Sequence, residues 1–374
     1  YLMGIKNYII LVIATVFFIG CNSNNEKSFR LSGKIDNLEK KEIILSKIED
    51  FQKKQQIVID TLHLNKLGEF NAVYFLEPGI YSLKINSKKR LQLAINYGQQ
   101  INIFGNSIEN LEVAGSTDTN LLTEYESFRI ESLNRLVKSV RTEIKNLKKK
   151  NIDVKEEIIS KLREKEVDNY KIHLQELTDF VNAKMKNSIA LYATSTRWNN
   201  ENIDVFKELV SNFEIEYPTL SITKKLKERI NLLEKTSIGS ILNNIKLSNT
   251  NGDIISLDST KLTYTLVDFW ASWCPPCRAE SKLLNELYLK HYKDGFEIYG
   301  VSLDTSEKRW LNALKTDNRN WPNVSSLEGF QTIAAQNLGI TALPTNFLID
   351  STGKIIAANI HGEELKNKIE ELFK

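Results

Sequence analysis

The sequence predicts a multidomain protein: an N-terminal antiparallel β sandwich or barrel, a central α-helical segment and a C-terminal α/β unit. Three observations predict it. Residues 29–116 alternate with a period near two between turn residues. Residues 117–235 place apolar side chains at steps of three and four. The run Thr265-Leu-Val-Asp-Phe-Trp270 reads as a buried strand and leads directly into an apolar pattern of helical spacing at Leu283, Leu284, Leu287, Leu289 and Tyr292. A chain of 374 residues exceeds one ordinary core, so two or three domains are expected.

Composition fits a globular protein, with 41% hydrophobic and 26% charged residues. A net charge of +3 gives no sign of nucleic-acid binding, and lysines interleaved with glutamates read as solvated helix faces. In the first unit, strands are expected at Phe29–Ile35, Glu42–Ser46, Gln56–Leu64, Gly79–Ile85, Leu91–Ile95 and Gln100–Phe104, split by Gly33, Gly68, Pro78-Gly79, Gly98 and Gly105. His63 falls in an alternating strand and reads as structural. In the second unit, Ile130, Leu133, Val137, Val140, Ile144 and Leu147 form one seam, and Tyr170, Leu174, Leu177 and Val181 another. An antiparallel helical hairpin is the simplest arrangement, with further helices at Ser188–Arg197, Asp204–Phe213 and Thr219–Leu233.

The third unit carries the chemistry. Trp273-Cys274-Pro275-Pro276-Cys277-Arg278 places two cysteines one helical turn apart, where the strand ends and the helix begins. The N–H groups and dipole of a helix N-terminus favour negative charge, which makes Cys274 the attacking thiolate and Cys277 the resolving thiol. The same spacing serves as half of a zinc site, which wants four ligands. The only further cysteine is Cys21, and His63, His173, His291 and His361 are scattered singly, so zinc and an inert thiol pair stand as the lesser alternatives. Farther on, Leu343-Pro344-Thr345 precedes the strand Asn346-Phe-Leu-Ile-Asp350. On the residues alone, that proline reads as an ordinary trans proline at a strand start.

Taken together, Leu266-Val-Asp-Phe-Trp-Ala-Ser-Trp-Cys-Pro-Pro-Cys-Arg278 and Leu338-Gly-Ile-Thr-Ala-Leu-Pro-Thr-Asn-Phe-Leu-Ile-Asp350 resemble the thioredoxin-fold thiol:disulfide oxidoreductases. Within them the chain is most similar to the membrane-anchored, periplasm-facing TlpA/ResA kind, of the AhpC/TSA type, over residues 236–374. The resemblance implies that Cys274 is the nucleophile, Cys277 the resolving thiol, and Trp273 their flanking aromatic. It makes Pro344 a cis-proline beside the disulfide and gives the backbone at Leu343 the task of pairing with substrate. Asp268 becomes the buried acid that accepts and returns the proton of Cys277, the alternative being a strand aspartate hydrogen-bonded to its neighbours. No cofactor beyond the Cys274–Cys277 disulfide is implied, and no metal.

The sequence also departs from that pattern. Ser281-Lys282 occupy the region where relatives carry a helix-kinking proline, and Gly239-Ser240-Ile241 stands where Gly-x-Ala-Pro is usual. Both residues between the cysteines are proline and supply no N–H to the thiolate. No lysine partner for Asp268 stands out. A peroxiredoxin would need threonine at position 271, which is alanine. Glutathione peroxidase-like chemistry is less cleanly set aside, but the paired cysteines argue for disulfide exchange.

At the N-terminus, Lys6 precedes an apolar run from Tyr8 to Ile19, the length of a signal-peptide core and too short to span a bilayer. It ends at Phe18-Ile19-Gly20-Cys21, which resembles a bacterial lipobox and implies a lipid on Cys21. The expected organisation is a lipoprotein signal peptide (1–20), a tether (21–28), a β-rich domain (29–116), a helical segment (117–235) and a thioredoxin-like domain (236–374). The expected role is reduction of disulfide-containing envelope proteins on the periplasmic side of a membrane, the outer membrane being favoured. A membrane thiol-electron transporter would be the donor. An oxidase or isomerase, or a non-catalytic lipoprotein scaffold for envelope assembly, are the alternatives.

Overall fold

A computed structural model describes residues 27–149 and 156–374, and no helix among them is long and apolar enough to cross a membrane. The expected signal peptide, Cys21 and nearly all of the tether lie outside the described residues. Eight strands come first: β1 (Phe29–Ile35), β2 (Glu42–Asp50), β3 (Gln55–His63), β4 (Glu69–Tyr74), β5 (Gly79–Lys84), β6 (Arg90–Ile95), β7 (Gln100–Gly105) and β8 (Glu112–Ala114). They form two four-stranded sheets, ordered β4-β1-β7-β8 and β3-β2-β5-β6. The expected sandwich is present with one departure from antiparallel pairing: β1 runs parallel to β7, Arg30 lying opposite Gln100 and Ile35 opposite Gly105. Gly33 permits that approach, since a Cβ there would meet the Ile103 carbonyl oxygen at 1.9 Å.

Leu31, Ile101 and Ile103 of the first sheet and Ile43, Leu45 and Leu83 of the second fill the sandwich core. The outer face of β5 and β6 is also buried: Ile80 and Ala94 join Leu122, Tyr125 and Phe180 in the core of the helices. This is why β5 is small or apolar on both faces from Gly79 to Leu83, with its one charged residue, Lys84, at the exposed end.

The helices are α1 (Thr117–Leu133), α2 (Ser139–Lys149), α3 (Glu156–Phe180), α4 (Leu191–Thr194), α5 (Ile203–Glu216) and α6 (Ser221–Lys235). Ser116 caps α1 by accepting from the Thr119 N–H at 3.0 Å, and its hydroxyl donates to the Ala94 carbonyl at 2.8 Å. The expected seam through Ile130 is displaced. Leu122, Tyr125 and Ser132 face inward, then Val137, Val140 and Ile144, while Ile130 is 46% exposed. A π-helical turn at Asn134–Lys138 joins α1 to α2 and adds the residue that rotates the buried face. In α3 Leu177 is buried, as is Val181 in the π-helical turn Val181–Met185 that follows, but Tyr170 and Leu174 are half-buried and line a cavity. The stretch expected as a helix over Ser188–Arg197 is only the short α4 followed by a 3-10 turn, Ser195–Arg197.

The C-terminal unit contains β9 (Lys246–Ser248), β10 (Ile254–Ser256), α7 (Leu257–Thr260), β11 (Tyr264–Trp270), α8 (Pro275–His291) and β12 (Phe296–Ser302). It continues with α9 (Glu307–Thr316), β13 (Asn323–Ser325), α10 (Ile333–Asn337), β14 (Thr345–Asp350), β15 (Ile355–Ala358) and α11 (Gly362–Leu372). The seven-stranded sheet runs β10-β9-β13-β12-β11-β14-β15, with β11 parallel to β12 and antiparallel to β14. This is the α/β thioredoxin arrangement. Val267 and Phe269 of β11 pack on one side of the sheet, and Leu266 packs with Leu284 and Leu287 of α8 on the other. Asp268 and Trp270 share the α8 side by the two-residue period of a strand. The helical spacing read through Leu289 and Tyr292 is corrected: these are 83% and 46% exposed, and Ser281, Leu284, Leu287 and His291 form the buried face.

The helical part is fastened to this unit by Arg229 of α6. Its buried guanidinium donates to the carbonyls of Ser195 at 3.0 Å, Trp198 at 2.7 Å and Gly339 at 2.9 Å. Gly339 lies in the left-handed region, φ +64°, and a Cβ there would come within 2.6 Å of the Arg229 Nη1. Arg229→Met strands three carbonyls and should cost about 2–4 kcal/mol, seen as a lowered denaturant midpoint. Elsewhere, burial pushes the carboxyl of Glu297 on β12 up to about 7, against the Ile298 N–H that it accepts at 2.8 Å. The folded chain therefore holds a proton that the unfolded chain releases, and stability falls as pH rises from the ordinary carboxylate value of 4.5 through 7. Melting curves at pH 5 and pH 8 should show this loss in the native chain and a smaller one in Glu297→Gln.

Candidate active site

Strand β11 ends at Trp270, and the chain turns through Ala271–Trp273 into α8. The turn is pinned by Asp304, whose carboxylate accepts from the Ser272 N–H at 2.9 Å and the Ser302 hydroxyl at 2.8 Å. Cys274 is the N-cap of α8, Pro275 and Pro276 fill its first turn, and the Cys277 N–H points at the Cys274 sulfur, 3.3 Å away. The two cysteines form a disulfide, with Cα atoms 5.3 Å apart. Both are buried, at 3% and 1% exposure, whereas Trp273 is 47% exposed with its ring 6.1 Å from that of Phe330. The Leu343–Pro344 peptide bond is cis, against the trans reading from the residues alone. Leu343 packs on the cluster formed by Trp270, Cys274, Cys277 and Trp310. Thus Cys274, Cys277, Leu343 and Pro344 are gathered at one place, with Trp273 at its edge. Cys21 lies outside the described residues.

Beneath the disulfide the sequence reading missed a partner. Asp268 is buried and paired with Arg319, Nη1 to Oδ2 at 2.8 Å, in place of the lysine that was sought. The same guanidinium donates from Nη2 to the Cys277 carbonyl at 2.9 Å and from Nε to the Ser281 hydroxyl at 2.9 Å. It also lies 3.9 Å from the centre of the Trp270 ring. Ser281, which departs from the family proline, is therefore one of the anchors of Arg319. Burial raises the Asp268 carboxyl above its usual range, and the Arg319 cation offsets that only in part.

A second buried pair lies one turn along α8. His361 Nδ1 and Glu280 Oε2 are 3.0 Å apart, and the Gly362 N–H donates to Glu280 Oε1 at 3.1 Å. Burial opposes its charge, but His361 and the Gly362 N–H bring Glu280 below the ordinary carboxylate range. Burial likewise opposes the His361 cation, and Glu280 raises it overall. The site thus holds two carboxyls of opposite tendency, one ready to keep a proton and one held ionised. Neither partner was legible, because Arg319 and His361 stand 51 and 81 residues from the acids they meet.

A strand-to-helix disulfide facing a cis-proline over a buried acid defines a thioredoxin-fold dithiol–disulfide enzyme. Residues 238–358 match the AhpC/TSA family. Thiol-disulfide oxidoreductase ResA of Bacillus thuringiensis subsp. konkukian is 35% identical over 141 residues, covering 38% of this chain and 79% of that one. ResA of Bacillus subtilis is 35% identical over 124 residues, 33% of this chain and 67% of its own. A solved thiol-disulfide oxidoreductase from Bacteroides fragilis is 34% identical, covers 36% of this chain and 99% of that one, and gives a TM-score of 0.34. The chain belongs to the family of ResA-like thiol-disulfide oxidoreductases.

Removing Arg319 takes away the main opposition to burial at Asp268, leaving the more distant His361. In Arg319→Met the pH at which the resolving step reaches half its maximal rate should move up by about 1–3 units, and Arg319→Lys should recover part of the shift. Stopped-flow release of a peptide thiol from the Cys274 mixed disulfide measures it.

Proposed function

We propose that the protein reduces disulfides of other envelope proteins on the periplasmic side of a membrane, most simply the outer membrane, to which a lipid on Cys21 holds it. Residues 29–116, 117–235 and 236–374 are its three working parts. The observation that carries the direction is the pair of prolines in the first turn of α8. They withhold two N–H groups, and the Cys277 N–H at 3.3 Å is the hydrogen-bond donor to the Cys274 sulfur among the described residues. A Cys274 thiolate at this helix N-terminus keeps the dipole but lacks those two N–H groups, so it is less stabilised than at an unobstructed helix start. A less stabilised thiolate is the better electron donor, whereas a strong oxidant owes its potential to a stabilised reduced form.

In this cycle the Cys274 thiolate attacks one sulfur of a substrate disulfide. The substrate S–S bond breaks, a mixed disulfide forms, and the departing sulfur takes a proton. Cys277 then gives its proton to the Asp268 carboxylate and attacks Cys274; the second substrate sulfur leaves as a thiolate and takes up the proton that Asp268 gives back, and the Cys274–Cys277 disulfide remains. Two electrons pass from enzyme to substrate. A membrane thiol-electron transporter returns them. Trp273 and the backbone at Leu343 and Pro344 hold the substrate segment beside the sulfurs, as an added strand would be held.

The test is the reduction potential of Cys274–Cys277 in defined thiol buffers. A value near −270 mV, as in thioredoxin, is expected; one near −120 mV would make the protein an oxidant and overturn the direction.

A further inference from the structure

The face that carries the disulfide looks into a trough with two walls. Its central cavity, of about 330 Å³, has Pro276, Leu343 and Pro344 on one side. On the other side stand residues of the helical part: Leu133 of α1, Tyr170 and Leu174 of α3, and Asn199–Glu201. Pro276 lies between the two cysteines, so the cavity borders the turn that holds them, with neither cysteine in its lining. It continues both ways. Through Arg197, Ile340 and Thr341 it meets a cavity of about 320 Å³ beside Phe330, toward Trp273. Through Val167, Pro276 and His361 it meets one of about 520 Å³ between α3, α8 and α11. The second wall is held in place by Arg229, which binds the Gly339 carbonyl five residues before Pro344, and by the Lys171–Glu364 ion pair of 2.9 Å between α3 and α11.

We propose that the central helices form the second wall of the substrate site, and that Tyr170 and Leu174 are specificity-determining positions. The ligand is an extended polypeptide segment carrying a cysteine, with an apolar side chain beside that cysteine seated in the central cavity. This rests on the redox reading given above. Three cavities in series suit an extended chain; a low-mass thiol would fill the central one alone. Leu133, Leu174, Leu338 and Ile340 give the cavity an apolar patch that suits an apolar neighbour of the cysteine, with Arg141, Glu166 and Lys171 also in its lining. A folded partner presenting a broad surface does not enter a trough walled on both sides.

Leu174→Trp narrows the central cavity without touching either cysteine. With the full chain reduced by dithiothreitol, three substrates are compared: a disulfide-linked peptide of about a dozen residues, glutathione disulfide, and a small aromatic disulfide. The expected result is a drop of about tenfold in kcat/KM for the peptide, larger than the drop on either low-mass disulfide, with the reduction potential unchanged. An unchanged peptide rate overturns the second wall, and an equal drop on glutathione disulfide reassigns the cavity to a low-mass thiol. Loss of all three activities already in the native chain would remove the redox reading, and this proposal with it. A second measurement is independent of how Leu174→Trp folds. In Cys277→Ser the peptide is trapped on Cys274 and hydrogen exchange is followed. Slowed exchange in both 338–345 and 166–174 supports the two-walled site; slowing confined to the redox unit overturns it.

Discussion

One buried cation sets how the halves of this molecule meet. Arg229 has no carboxylate within its hydrogen-bond set and is satisfied by three backbone carbonyls, two from the turn after α4 and one from Gly339. Burial of that charge is tolerable only while all three acceptors stay in place, because a guanidinium presents its donors in a fixed planar fork. The interaction is therefore a geometric lock: α6, the 195–198 turn and the loop leading to Pro344 must keep one spacing. The walls of the trough inherit that spacing.

Arg319 plays the corresponding part inside the redox unit. It ties a strand acid, a helix hydroxyl and the carbonyl of the resolving cysteine into one rigid group, stacked on Trp270. The departure at Ser281 and the absent lysine become a single fact in this light. A proline at that position would have no hydroxyl to offer Arg319, and an arginine reaching in from beyond α9 supplies the positive charge beside Asp268.

What was legible in the sequence was local. The strand into Trp270, the cysteines one turn apart and the following helix lie within the single stretch 264–291, so period and spacing suffice to place them. Six of the eight sandwich strands were legible for the same reason, β4 and β8 being outside the expected set, and the parallel β1–β7 pair was not legible, since alternation reveals a strand and not its neighbour. Misread faces have identifiable causes. The extra residue of the π-turn turned Ile130 outward, and Leu289 lost its expected place to His291, which completes the buried stripe of α8. Tyr170 and Leu174 kept the helical period yet line open space, because a period marks an apolar face without saying whether protein covers it. Arg319 and His361 carry no signal at all in a single sequence, as each meets its acid only after the sheet has assembled.

The inner position of β1 bears on how the chain comes into being. Phe29–Ile35 is flanked by β4 on one side and by β7, residues 100–105, on the other. A chain emerging from the ribosome N-terminus first thus carries its central strand half-paired until Gly105 has appeared, an interval of several seconds at ordinary elongation rates. During that interval Phe29, Leu31 and Ile35 have no sandwich to enter. The sheet β4-β1-β7-β8 can therefore be completed only after residues 100–114 have been made, so the sandwich closes late in the synthesis of its own unit.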